Sequence, residues 1–157
     1  MMPTKRPKVK YLIRYAKIGD IKTIIKLGKE AWPEWSGKNT HADARYTRYA
    51  IKNKHALVTV VNGKIIGYAF FGVVWNYMHL LASYVKPEYR KEGIGSAQME
   101  RRIEIAREMG LKKVLSDCDV DNKVAYKYHL KNGFVKCGYI KRLWDEEDSF
   151  VLSKDLN

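Results

Sequence analysis

Apolar positions along the chain switch between a period of two and a period near 3.6, and these switches divide it into elements. Val9 to Ala16 reads as a first strand, closed by Gly19-Asp20. Asp20 is placed to cap a helix whose apolar stripe is Ile21, Ile24, Ile25 and Leu27. That helix is predicted to end near Trp32-Pro33, because proline disfavours helix at the residue before it. Pro33 to Thr40 is polar and turn-rich, and a second helix is predicted over Ala42 to Lys52. Leu57 to Val61 and Ile65 to Val74 flank Asn62-Gly63, the signal for a two-residue hairpin with a type I′ turn. Trp75 to Val85 makes the next strand. Ile94, Met99, Ile103 and Ala106 then recur at helical spacing, and Val114 to Ser116 forms a short strand. A further helix follows Asn122. Val135 to Leu143 and Ser149 to Leu152 close the pattern around Asp145-Glu146-Glu147-Asp148.

The order is strand, two helices, three strands, helix, strand, helix, two strands. It is neither the regular alternation of a doubly wound fold nor an all-β pattern, so a mixed α+β class is expected. The 157 residues, 46% of them hydrophobic, suit a single domain over 1–157 rather than a disordered chain. Residues 1–8 are basic and expected to be flexible. Met1 to Lys10 lacks the apolar core of a signal peptide, and no apolar run nears the roughly 20 residues of a membrane span. Cys118 and Cys137 stand far apart, which fits two reduced cysteines in a cytoplasmic protein better than a disulfide or metal site.

Candidate chemistry begins at Val85-Lys86-Pro87-Glu88-Tyr89-Arg90-Lys91-Glu92-Gly93-Ile94-Gly95-Ser96. This is a strand end, a turn and a glycine-bearing entry into a helix, where unpaired N–H groups can meet a phosphate. The P-loop pattern G-x-x-x-x-G-K-[ST] is absent, and Gln98 stands where a dinucleotide fingerprint needs a small residue. What remains is Arg-x-x-Gly-x-Gly after a strand. It resembles the acyl-CoA pyrophosphate loop of the GNAT superfamily of N-acetyltransferases. The stretch Asn122 to Phe134 resembles the later helix of that family, Asn-x-x-Ala-x-x-x-Tyr-x-x-x-Gly-Phe. Asn122, Ala125, Gly133 and Phe134 fall in register, but His129 occupies the tyrosine position and Tyr128 sits one residue earlier. The resemblance covers roughly residues 56–152.

The resemblance implies an acyl-CoA N-acyltransferase fold: a mixed central sheet splayed at strands 4 and 5, flanked by about four helices. It implies acetyl-CoA as co-substrate, no metal, and direct acetyl transfer to a primary amine of a small molecule, peptide or protein. The donor would be held by Ser83, Tyr84 and Val85, by Arg90, Lys91, Glu92, Gly93, Ile94, Gly95 and Ser96, and by Asn122, Ala125 and Lys131. Asn122 has the alternative of capping its helix.

Acetyl transfer needs a neutral amine and a protonated leaving thiolate, and free amines and thiols titrate near ~10.4 and ~8.5. A base and an acid therefore help at neutral pH. The strand from Trp75 to Val85 carries no carboxylate, and His79 is its titratable group nearest neutrality. Histone acetyltransferases of the superfamily carry a glutamate base at this spacing, and arylalkylamine N-acetyltransferases a histidine. For the acid, the resemblance points to His129, with Tyr128, about 100° away round the helix, as the backup. The acceptor groove in this family is built from the first two helices and last two strands. Those regions supply Trp32, Trp35, His41, Tyr46, Trp144 and the acidic run Asp145 to Asp148. These suit a cationic amine, although core packing and a solvated hairpin tip are the simpler readings.

The formal net charge of +13 leaves several partners open. Basic chains bind nucleic acid through phosphates, but a positive field also steers coenzyme A, and Lys-rich surfaces accompany thermal adaptation. The lysines are scattered, so nucleic acid is the secondary reading. A non-catalytic acyl-CoA-binding module is the other alternative, kept open by the replaced tyrosine and the missing strand carboxylate. A homodimer is expected, because last strands of such domains often meet a partner.

Overall fold

The computed structural model describes residues 8–33, 43–144 and 146–156. Trp35, His41, Asp145 and most of the basic lead lie outside the described residues. Among the described residues, seven strands and four α-helices run in the expected order. They are β1 (Leu12–Tyr15), α1 (Ile21–Ala31), α2 (Ala44–Lys52), β2 (Ala56–Val61), β3 (Lys64–Val74), β4 (Tyr77–Val85), α3 (Ile94–Glu108), β5 (Lys113–Asp119), α4 (Lys123–Lys131), β6 (Val135–Trp144) and β7 (Glu147–Asp155). The chain forms two compact units, one up to Phe70 with Ala82–Arg101, the other Phe71–Leu81 with Arg102 onward.

In the first unit the strand order is β1-β2-β3-β4. β1 is shorter than its apolar pattern and pairs antiparallel with β2 from Leu12↔Val60 to Tyr15↔Leu57. Asn62 and Gly63 both take positive φ, 48° and 74°, as the hairpin turn between β2 and β3 demands. Asp20 does precede α1, but its carboxylate does not cap that helix. It accepts from the Lys17 N–H at 2.7 Å and from the Arg14 guanidinium at 2.7 Å. A capping role is instead filled in α2, where Asp43 accepts from the Tyr46 N–H at 2.7 Å. Ile24 and Leu27 of α1 and Ala50 and Ile51 of α2 are buried, and the two helices pack together.

Gly67 of β3 has a local reason to lack a side chain. A Cβ there would stand 2.5 Å from the Tyr84 carbonyl oxygen and 3.0 Å from Nε2 of Gln98. The Tyr84 carbonyl therefore leans onto the face of β3. That is a departure from regular pleating.

In the second unit the order is β4-β5-β7-β6. β4 and β5 pair in parallel over three residues only, ending at His79↔Leu115. β5 and β7 pair antiparallel over seven, from Lys113↔Asp155 to Asp119↔Ser149. The sheet is thus mixed, as expected. β4 begins at Tyr77 rather than Trp75, because Trp75 takes φ 50° in the turn and is almost fully exposed. β5 runs past Ser116 to Asp119, its burial alternating along all seven residues. α4 opens on Asn122, whose side chain accepts from the Ala125 N–H at 3.0 Å, and Gly133 after it takes φ 85°.

Gly67→Ala should destabilise the protein by about 1–3 kcal/mol, since the obstructing atom is backbone. Urea denaturation of the two proteins would measure it. A loss below about 0.5 kcal/mol would mean that Tyr84 moves away freely.

Candidate active site

The glycine loop lies in the first unit. Arg90 is fixed by its own turn: Nε donates to the Val85 carbonyl at 2.9 Å, and its guanidinium lies 5.5 Å from the centre of the Tyr84 ring. The chain then winds through two left-handed residues, Lys91 at φ 65° and Gly93 at φ 81°. The Gly93 carbonyl accepts the Ala97 N–H at 3.0 Å, so the helix starts here. The N–H groups of Ile94, Gly95 and Ser96 consequently have no acceptor within the helix. A Cβ added to Gly95 would meet nothing within 4 Å. Nothing in the chain's own packing requires glycine there, and the open side of that residue is free for a close-approaching ligand. Ser83, Arg90, Lys91, Glu92, Gly95 and Ser96 are exposed, whereas Ile94 is buried against Val61 and Ile66.

The second unit holds His79, Tyr128 and His129. His79 stands on the last rung of the β4–β5 ladder. Its Nε2 lies 3.2 Å from Oδ2 of Asp117, and Oδ1 of the same carboxylate accepts from the indole N–H of Trp144 at 2.8 Å. One carboxylate thereby orients a partly exposed imidazole and anchors the end of β6. Sequence reasoning missed Asp117 because it ended β5 at Ser116 and sought the carboxylate on β4 alone. The signal was present: Val114, Ser116 and Cys118 alternate with Leu115, Asp117 and Asp119, so the polar run is strand.

His129 sits on the opposite face of β5. It is 8% exposed, with Nε2 2.8 Å from the Ser116 hydroxyl and Nδ1 2.7 Å from the Ala125 carbonyl. A carbonyl can only accept, so Nδ1 carries the hydrogen and the neutral ring takes the Ser116 O–H at Nε2. Burial pushes the His129 pKa below its usual value, against the Ala125 hydrogen bond and with the Arg102 charge. The imidazole is therefore an acceptor at Nε2. Its neighbour Tyr128 differs, because its hydroxyl is buried and has no hydrogen-bond partner among the described residues. Such a group costs about 1–3 kcal/mol and is retained where something else supplies the partner.

The remaining residues separate by duty. Asn122 caps α4, Ala125 spends its N–H and carbonyl within that cap and on His129, and Lys131 ends the helix exposed. Trp32 is half-buried where α1 ends, its N–H bonded to the Gly28 carbonyl. Trp144 engages Asp117, so it belongs with His79. Of the acidic run, Asp148 accepts from the Tyr139 hydroxyl and, at 2.8 Å, from the Arg142 N–H, while Glu146 pairs with Arg142 at 2.7 Å. These two carboxylates brace their hairpin.

Comparison with known proteins gives the family and the fold. The family model described as the acetyltransferase (GNAT) family matches residues 24–134, well over half of the chain. The chain belongs to this family and is an N-acetyltransferase. It is 23% identical to a spermidine N(1)-acetyltransferase of Thermoplasma acidophilum, over 78% of this chain and 86% of that one. It is 25% identical to an N-alpha-acetyltransferase of Sulfurisphaera tokodaii, over 93% of each. Its fold is similar to that of the PaiA N-acetyltransferase of Thermoplasma acidophilum, solved in complex with coenzyme A. The TM-score is 0.77 at 20% identity, covering 94% of this chain and 99% of that one.

The depressed His129 pKa has a stability consequence with a definite sign. The unfolded chain binds a proton near 6.5 more readily than the folded one, so stability rises with pH across the window below 6.5. The contribution is present above that value and is lost as pH falls through it. His129→Gln should lower stability by about 1–3 kcal/mol at about pH 8, with a smaller deficit at about pH 5. Urea titrations at both pH values test this, and a deficit that grows on acidification would refute it.

Proposed function

We propose that this N-acetyltransferase passes the acetyl group of acetyl-CoA to a primary amine by direct attack in a ternary complex. His79 takes a proton from the arriving ammonium, the neutral amine nitrogen then bonds to the carbonyl carbon, and its second proton leaves to water as the amide forms. Tyr128 gives its proton to the sulfur as the carbon–sulfur bond breaks. The observation that carries this reading is the pairing of His79, on the last rung of the parallel ladder, with the carboxylate of Asp117 two residues past that rung. An imidazole held by a carboxylate has a defined orientation and a counter-charge for the imidazolium that forms. Tyr128 is favoured over His129 for the acid because its buried hydroxyl has a proton and no partner. His129, accepting from Ser116, has none to give at Nε2.

In this reading the first-turn N–H groups of Ile94, Gly95 and Ser96, with Arg90, hold the pyrophosphate, and the strand end Ser83 to Val85 pairs with the pantetheine arm. The acceptor arrives as an ammonium. Asp117 and Asp119 end β5 and Asp121 stands in the turn after it, and carboxylates in a chain of net charge +13 attract a cation locally. That the two relatives above are named for spermidine and for N-alpha positions supports an amine of this kind. We place the protein in the cytoplasm, where the unbonded thiols Cys118 and Cys137 stay reduced. We assign it a homodimer through β6, the outermost strand of its unit, which exposes Val135, Tyr139 and Ile140.

Release of free thiol from acetyl-CoA, followed against polyamines and peptides, tests the proposal. His79→Ala should lower turnover about 10²- to 10⁴-fold near neutral pH, with a smaller defect at high pH where free amine is abundant. Tyr128→Phe should slow turnover without loss of acetyl-CoA affinity. Wild-type rates for His79→Ala across that pH range would sink the assignment of the base. In calorimetry, Gly95→Glu should bind acetyl-CoA far more weakly while remaining folded, and unchanged affinity would remove the loop from the donor site.

A further inference from the structure

The helix after the glycine loop carries an anomaly that the acetyl-transfer reading does not use. The inward side of α3 is apolar at Ile94, Met99, Ile103 and Ala106, yet Gln98 and Arg102 are also buried, at 1% and 3% exposure. They lie one turn apart, on the same side of the helix. An amide and a guanidinium withdrawn from water cost several kcal/mol unless bonded. Both are bonded to the backbone of β4. Gln98 Nε2 donates to the Tyr84 carbonyl at 3.4 Å and to Thr59 Oγ1 at 3.1 Å, and an Arg102 guanidinium nitrogen donates to the Leu81 carbonyl at 3.3 Å.

These two carbonyls are three residues apart. In a regular strand such carbonyls point to opposite sides within the sheet, each into a ladder. Here both are taken by side chains of one helix, so the pleat is interrupted between them. Three further observations agree. The alternation of burial along β4 is regular from Tyr77 to Leu80 and then breaks. The parallel ladder ends at His79↔Leu115, leaving Leu81 beyond its last rung. The Tyr84 carbonyl lies close over Gly67. A part-buried carbonyl at an irregular point of a strand gains from an additional donor, and α3 supplies one to each of these two.

We propose that Gln98 and Arg102 are positioning residues for the acyl donor: they hold the irregular second half of β4 by its carbonyls and thereby preset the backbone that receives acetyl-CoA. The proposal rests on the acetyl-transfer reading for the identity of that ligand. The division of labour follows from chemistry. Gln98 has two amide hydrogens, one for Thr59 and one for Tyr84, and so ties β2 and β4 to the helix. Burial lowers the Arg102 pKa to about 10, which leaves it cationic at neutral pH, and a charged donor makes the stronger bond. A strand held in its binding shape before the ligand arrives loses less entropy on binding.

The test separates backbone positioning from general stability. In Gln98→Met, of similar volume but with no donor, KM for acetyl-CoA should rise about tenfold, the scale of one lost hydrogen bond, with little change in KM for the amine or in kcat. Amide hydrogen exchange of residues 82–86 in the ligand-free protein should accelerate. Thr59→Val removes a different partner of Gln98 and should leave KM for acetyl-CoA unchanged, even where it lowers stability. Arg102→Lys, which keeps the charge, should recover most of what Arg102→Met loses. Two failures read differently. If the unmodified protein binds no acetyl-CoA, the acetyl-transfer reading falls and takes the ligand of this strand with it. Normal binding, with unaltered KM and exchange in a folded Gln98→Met, overturns the positioning role alone.

Discussion

Every backbone carbonyl withdrawn from water needs a donor, and in this molecule that requirement bears hardest on β4. Its parallel ladder with β5 spans only three residue pairs, so on that side Leu81 and the residues after it lie beyond the pairing. Side chains of α3 complete it, Arg102 at Leu81 and Gln98 at Tyr84. Gly67 then follows as a steric necessity, because the Tyr84 carbonyl leans into the space a side chain would fill. The position of α3, and with it the glycine loop at its start, is thus tied to the path of the strand it serves.

The proton-handling groups are arranged by a different rule, the alternation of side chains along β5. Ser116 faces α4 and holds His129, whereas Asp117 faces the other way and holds His79 and Trp144. Two histidines that look equivalent in composition therefore have different surroundings. His79 is partly open and paired with a carboxylate. His129 is enclosed, kept neutral by burial, and occupied at both nitrogens. The unpartnered hydroxyl beside it belongs to Tyr128.

Much of the fold was legible because its signals are local. Asn62-Gly63 announces a hairpin by backbone preference, and the glycine loop and Asn122 announce helix starts by the same kind of short-range chemistry. What escaped depends on partners distant in sequence. Asp20 reads as a helix cap, but Arg14 and the Lys17 N–H compete for its carboxylate and take it. Trp75 reads as strand, yet the β3–β4 connection puts it in a left-handed turn that few bulky residues adopt. Asp117 escaped because polar residues on a half-exposed strand resemble a loop. Gln98 and Arg102 were invisible for another reason: their partners are backbone carbonyls, which every residue possesses and no sequence pattern marks.

The long ladder between β5 and β7 has a consequence for how such a site can be lost. β7 provides none of the proposed proton carriers, but its seven pairings, from Lys113↔Asp155 to Asp119↔Ser149, set the phase of β5. Because neighbouring residues face opposite ways, a slip of one residue would turn Ser116 toward His79 and Asp117 toward His129. Composition, helix content and the apolar core would hardly change, while the imidazole poised to receive a proton would exchange its carboxylate for a hydroxyl. The final strand acts as a phase lock. An insertion or deletion of a single residue within it is a change to the chemistry, made from a segment that carries none of the proposed proton carriers.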